Sequence, residues 1–158
     1  MKDIIITKAT YADKEKLAET WQHFNNEKAM QSRAECYITH NNTILAKKGD
    51  EIKGKILWHV KDNPNEGVVE FEELYVFEEY RMKGIGSELI KYSINEVQKY
   101  FENLGIKPRR IFLYTGEDNL NARKLYEKFG FEKIANLGHL FTDNDKELFY
   151  VLDLTKLK

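Results

Sequence analysis

Apolar and polar positions recur along this chain with two periods, and the switches between them mark out the elements. Ile4–Thr7 is a β-rich run that reads as a first strand. From Ala12 to about Met30, Leu17, Trp21 and Phe24 fall at helical spacing among charged residues, which predicts an amphipathic helix capped by Thr10 or Asp13. Residues 31–42 are polar and show no clear period. Thr43–Lys47 and Ile52–Val60 predict the arms of an antiparallel hairpin turning through Lys48-Gly49-Asp50-Glu51. Asn63-Pro64-Asn65-Glu66-Gly67 is a loop by composition, and Val68–Phe77 a further strand.

The longest helix is predicted from about Gly84 to Leu104. Ile85, Leu89, Ile90, Ile94, Val97, Phe101 and Leu104 form one apolar stripe along it, and Gly105 and Pro108 stop it. Arg110–Thr115 reads as a strand. Asn119–Phe129 reads as a helix, with Ala122, Leu125, Tyr126 and Phe129 on one face and Gly130 as its stop. Two strands, near Phe131–Ala135 and Glu147–Leu154, complete the order β-α-β-β-β-α-β-α-β-β. Successive strands in the middle pair antiparallel, whereas a helix between two strands lets them lie parallel. The fold class expected is α/β, an α+β mixed sheet with helices on both faces in three layers.

Composition narrows the function. The 158 residues suit a single domain, 1–158, with no repeat or linker to divide it. Lys and Arg number 25 against 26 Asp and Glu, so the cationic excess of a general nucleic-acid binder is missing. The lone Cys36 excludes an internal disulfide and is expected to be a small buried apolar residue. The apolar run of MKDIIITKAT is too short for a signal peptide or a membrane span, so a cytoplasmic protein without a membrane partner is the expectation. His23, His40, His59 and His139 are scattered, and no metal is expected.

Chemistry concentrates in Glu72-Glu73-Leu74-Tyr75-Val76-Phe77-Glu78-Glu79-Tyr80-Arg81-Met82-Lys83-Gly84-Ile85-Gly86-Ser87, which is a strand, a tight turn and a helix start. Glycines at 84 and 86 let main-chain N–H groups face a ligand, and the helix N-terminus adds unpaired donors and partial positive charge. A dinucleotide fingerprint fails at Leu89, and no Gly-Lys-Ser/Thr triplet makes a Walker A loop. A phosphate-binding turn of another kind remains.

Arg81-Met82-Lys83-Gly84-Ile85-Gly86 resembles the R/Q-x-x-G-x-G/A signature of the GNAT superfamily of N-acetyltransferases, in its place between the fourth strand and the long helix. Leu74-Tyr75-Val76 resembles the end of that strand. Asn119-Leu120-Asn121-Ala122-Arg123-Lys124-Leu125-Tyr126-Glu127-Lys128-Phe129-Gly130-Phe131 is similar to the family's N-x-x-A-x-x-L-Y-x-x-x-G-F segment at every fixed position. The likeness is close over about residues 68–135. Met82 departs from it, because many relatives carry glycine there.

The resemblance implies a GNAT-type acyl-CoA N-acyltransferase fold and transfer of the acetyl group of acetyl-CoA to a primary amine. It implies that the amides of Met82, Lys83, Gly84, Ile85, Gly86 and Ser87 hold the pyrophosphate, that Arg81 shapes their loop, and that Asn119 binds the cofactor. Leu74, Tyr75 and Val76 would pair with the pantetheine arm, with the Val76 N–H polarising the thioester carbonyl. An alkylamine, with a pKa of about 10, needs a base. Glu72 is the implied base and Glu70 the alternative; the bland reading of each is a solvated carboxylate, although three acids in one strand (Glu70, Glu72, Glu73) are unusual. Tyr126 matches the tyrosine that protonates the departing thiolate, against a packing role beside Leu125 and Phe129. His23, near Trp21 and Phe24, is a candidate for acceptor specificity, and Phe141, Leu148, Phe149 and Tyr150 for a homodimer contact or for core. A non-catalytic acyl-CoA sensor is the rival reading.

Overall fold

A computed structural model describes residues 3–40, 42–141 and 143–156. Its strands are β1 (Ile5–Lys8), β2 (Asn42–Lys48), β3 (Glu51–Val60), β4 (Val68–Val76), β5 (Arg110–Gly116), β6 (Glu132–Asn136) and β7 (Glu147–Asp153). Its α-helices are α1 (Lys14–Glu19), α2 (Glu27–Thr39), α3 (Ile85–Asn103) and α4 (Leu120–Lys128). The strands join in one mixed sheet of order β1-β2-β3-β4-β5-β7-β6, in which β4 and β5 run parallel. No helix among the described residues is long and apolar enough to cross a membrane.

The chain divides into two compact units, Met1–His59 with Glu73–Asn95, and Val60–Glu72 with Glu96–Lys158. In the first, Leu17, Ala18, Trp21, Ala34, Tyr37, Leu45, Ile52 and Leu57 form a buried cluster. Thr10 N–H donates to Asp13 Oδ2 at 2.8 Å, so both cap candidates act together, and Asp13 Oδ1 also meets Lys47 Nζ at 2.5 Å.

One predicted element is corrected here. The expected helix from Ala12 to Met30 is two helices, because Asn25 takes a left-handed φ of 48° and Asn26 caps α2 through its side chain, accepting from Ala29 N–H at 3.0 Å. The periodless residues 31–42 are mostly α2. Only Ala34 and Tyr37 of that helix are buried, too few to print a stripe on the sequence.

In the second unit the core gathers Val69, Phe71, Ile111, Leu113, Tyr126, Phe131, Leu148, Tyr150 and Leu152. The pairing of β4 with β5 ends at Glu70 opposite Phe112, although β5 continues along β7 as far as Gly116 opposite Glu147. Gly130 stops α4 as expected: its φ is 86°, its N–H reaches Glu127 O, and Phe131 N–H reaches Tyr126 O.

Candidate functional site

The turn after β4 is built from exposed backbone. A single 3-10 turn at Glu78–Tyr80 leads to Arg81, Met82, Lys83 and Gly84, all exposed. Met82 has φ 56° and Gly84 φ 82°. Gly84 adopts the left-handed region without penalty; Met82 does so with its side chain 89% exposed. The place where relatives carry glycine is thus one where the backbone asks for it.

The first ladder bond of α3 runs from Glu88 N–H to Gly84 O at 3.1 Å. The amides of Ile85, Gly86 and Ser87 therefore precede the ladder, at the positive end of a 19-residue helix. Two basic side chains brace the loop from within. Arg81 Nε donates to Val76 O at 2.9 Å, and Lys83 Nζ donates to Glu79 O at 2.7 Å. A diphosphate fits this donor set, with main-chain amides in front and the helix dipole behind.

Upstream of the turn, β4 presses against β3. A Cβ at Gly54 would lie 3.0 Å from Tyr75 O, 3.2 Å from Leu89 Cδ1 and 3.3 Å from Val76 Cγ2. Phe77 N–H donates to Lys53 O at 3.1 Å. Glycine at 54 is what permits this approach of the two backbones.

A cluster that the sequence reading did not single out sits one residue before Leu74. Glu73, inside β4, has φ 48°. Its carboxylate accepts from Trp21 Nε1–H at 2.9 Å, pairs with the Arg33 guanidinium, and lies 3.0 Å from Lys55 Nζ. Lys55 is 2% exposed and also donates to Thr20 Oγ1 at 2.8 Å. Burial, with the nearby Arg33 charge second, pushes its ammonium pKa down to about 6, and the Glu73 carboxylate opposes that shift. Arg33 lies over the rings of Trp21 at 5.2 Å and Tyr37 at 5.0 Å. Glu73 is thus engaged by the protein itself. The sequence signal was the density of acids in β4; the lysine and arginine that explain one of them lie far away along the chain.

Glu70, Glu72, Asn119 and Tyr126 lie in the second unit. Glu70 is 9% exposed, with Lys61 Nζ 3.6 Å from its carboxylate, while Glu72 is half-buried. Tyr114 is held above the usual phenol range by burial first and by the Glu70 charge second. Asn119 caps α4, accepting from Ala122 N–H at 3.3 Å. Tyr126 is 6% exposed, with ring centroids of Phe131 and Tyr150 at 5.9 and 6.2 Å. Burial raises its pKa well above the ordinary phenol value, so it holds its proton at neutral pH. Arg123 braces α4 by donating to Glu117 O at 2.8 Å, and Tyr150 OH donates to Glu127 Oε1 at 3.1 Å.

Three further expectations meet the structure here. Cys36 is exposed rather than buried, since it falls on the outer side of α2 beside buried Tyr37. Leu148 and Tyr150 are core, at 1% and 0% exposure, while Phe141 is exposed. His23 is exposed and packs its ring on Phe24 at 4.2 Å.

Comparison with known proteins agrees with this architecture. Over 72 residues the chain is 33% identical to the spermine/spermidine N(1)-acetyltransferase of Bacillus subtilis (strain 168); that match spans 46% of this chain and 43% of the relative. An N-acetyltransferase from Staphylococcus aureus Mu50 superposes with a TM-score of 0.77 at 18% identity, covering 95% of this chain and 98% of its own. Arabidopsis thaliana NAA60 in complex with acetyl-CoA superposes at 0.71 with 20% identity, covering 96% and 99%. The family described as Acetyltransferase (GNAT) family matches residues 9–131, and the chain belongs to that family.

Proposed function

We propose that this protein acts as one domain that transfers the acetyl group of acetyl-CoA to a primary amine. The observation that carries the reading is the left-handed turn at Met82 and Gly84, which opens the N-terminus of α3 directly after β4. The amides of residues 82–87 hold the pyrophosphate, and Arg81, fixed on Val76 O, keeps their loop in shape. Leu74, Tyr75 and Val76 offer their main chain to the pantetheine arm, and the Val76 N–H polarises the carbonyl that is attacked. When bound, acetyl-CoA supplies an activated acyl group on a thiol leaving group.

Glu72 takes the proton of the incoming ammonium, directly or through water, with Glu70 as the alternative. Tyr126, kept protonated by its burial, supplies the proton to the departing thiolate. Asn119 binds the cofactor through whatever its capping role leaves free. The protons balance: the ammonium nitrogen gives up two, one to Glu72 before attack and one as the amide forms, the thiolate takes one from Tyr126, which is then reprotonated, and one is released to solvent as the acetyl group changes partner. Polyamines head the acceptor panel because the Bacillus subtilis relative is named for spermine and spermidine.

The test mixes protein, acetyl-CoA and a panel of polyamines, aminoglycosides, amino acid derivatives and peptides, and follows free thiol. Amine-dependent release is expected. Coenzyme A binding without release across the whole panel would instead favour a non-catalytic acyl-CoA sensor.

A further inference from the structure

We propose that Glu73 is a positioning residue: its carboxylate, held by Trp21, Arg33 and Lys55, pins the left-handed backbone step that aims Leu74, Tyr75 and Val76. The inference rests on the role given to those three residues in the proposed function.

A residue with a Cβ at φ 48° is unfavourable inside a strand, and it persists only where its surroundings enforce it. An extra or left-handed residue in a strand re-aims everything after it, because the alternation of faces restarts at that point. Here the step falls directly before the segment in question. Three separate elements converge on it: Trp21 follows α1, Arg33 comes from α2 and Lys55 from β3. Each reaches one of the two carboxylate oxygens, Oε1 toward Arg33 and, at 3.5 Å, Tyr37, and Oε2 toward Trp21 and Lys55.

The side chain is therefore oriented from both oxygens, and its backbone with it. Beyond the step the strand is fixed again, by Gly54 against Tyr75 O and by Phe77 N–H on Lys53 O. Glu73 and this second anchor bracket Leu74–Val76. The pyrophosphate turn lies beyond the bracket and has its own braces in Arg81 and Lys83. Aim of the thioester-facing amide and grip on the diphosphate are thus held by different side chains, and a substitution separates them.

The experiment uses the full chain and three variants: Glu73→Gln, Glu73→Gly and Trp21→Phe. Glycine tolerates the left-handed step but has no carboxylate to hold; phenylalanine keeps a ring but removes only the indole bond. Coenzyme A affinity is expected to stay within about twofold of wild type, while kcat falls about tenfold or more in Glu73→Gly with little change in the KM of acetyl-CoA. Glu73→Gln and Trp21→Phe should retain more activity than Glu73→Gly. A kcat within about twofold of wild type in all three variants overturns the proposal, and so does a loss of kcat that merely tracks loss of coenzyme A affinity and of melting temperature.

Amide hydrogen exchange separates this inference from its parent. If wild-type protein releases no thiol with any amine, the proposed function fails by itself. Exchange at Leu74, Tyr75 and Val76 is still expected to quicken about tenfold in Glu73→Gly with the α3 amides unchanged, and equal exchange in both proteins overturns the positioning role.

Discussion

Lys55 Nζ lies 3.0 Å from the Glu73 carboxylate and 3.4 Å from the centroid of the Trp21 indole, with only 2% of the residue exposed. A lysine amine is thereby kept in a place that disfavours its charged form, beside a carboxylate and the face of an aromatic ring. The arrangement makes stability depend on pH in a direction that can be worked out.

The folded-state pKa of Lys55, at about 6, lies below its ordinary value of 10.5. Between those values the unfolded chain binds more protons than the folded one, so this residue makes stability rise with pH across that window. The slope it contributes is at most about 1.4 kcal/mol per pH unit. Chemical denaturation at several pH values from 6 to 9 should show a rising contribution that disappears in Lys55→Met. Identical pH dependence in the two proteins would contradict the assignment.

Tyr126→Phe removes one oxygen from a ring that packs against Phe131 and Tyr150. The melting temperature is expected to change little. Turnover should fall about 10²-fold if the hydroxyl protonates the leaving thiolate. Unchanged turnover in a folded variant would leave the tyrosine with packing alone.

Glu72→Gln should lower kcat by about 10²-fold, because the group that takes the ammonium proton is gone. Glu70→Gln is the paired control; the residue is 9% exposed and its carboxylate faces Lys61. Should the glutamine at 70 lower kcat about 10²-fold and that at 72 leave it intact, the base is Glu70.

Met82→Gly and Gly84→Ala should act in opposite directions. A Cβ in the left-handed region costs about 1–2 kcal/mol, against about 0.4–1 kcal/mol of unfolded-chain entropy added by a glycine. The first change should therefore raise stability by at most about 1.6 kcal/mol, and the second should lower it and weaken coenzyme A binding. Melting temperature and calorimetric titration with coenzyme A read both effects.

Gly54→Ala puts a Cβ 3.0 Å from Tyr75 O, a backbone atom that cannot swing aside. Overpacking of this kind costs about 1–3 kcal/mol. A melting temperature equal to wild type would show that β3 and β4 yield there freely.

Much of the architecture was legible because it is local. The stripe from Ile85 to Phe101 announces α3, Gly130 ends α4 through its own φ, and the Gly84 turn declares itself by residue type. Helix period, strand alternation and turn chemistry are properties of neighbours in sequence, and the motifs around Arg81 and Asn119 belong to the same short-range class. α2 was not legible, because a helix covered by few apolar residues leaves almost no periodic trace.

The sequence by itself determined the order of the strands along the chain, the turn that precedes α3 and the family. The tertiary structure alone decided which partners Glu73 of β4 meets. Glu73 meets Trp21, Arg33 and Lys55, which stand 52, 40 and 18 residues away in the chain. An ion pair across such separations costs chain entropy to form and is held by burial rather than by any local preference, so no window of sequence contains it.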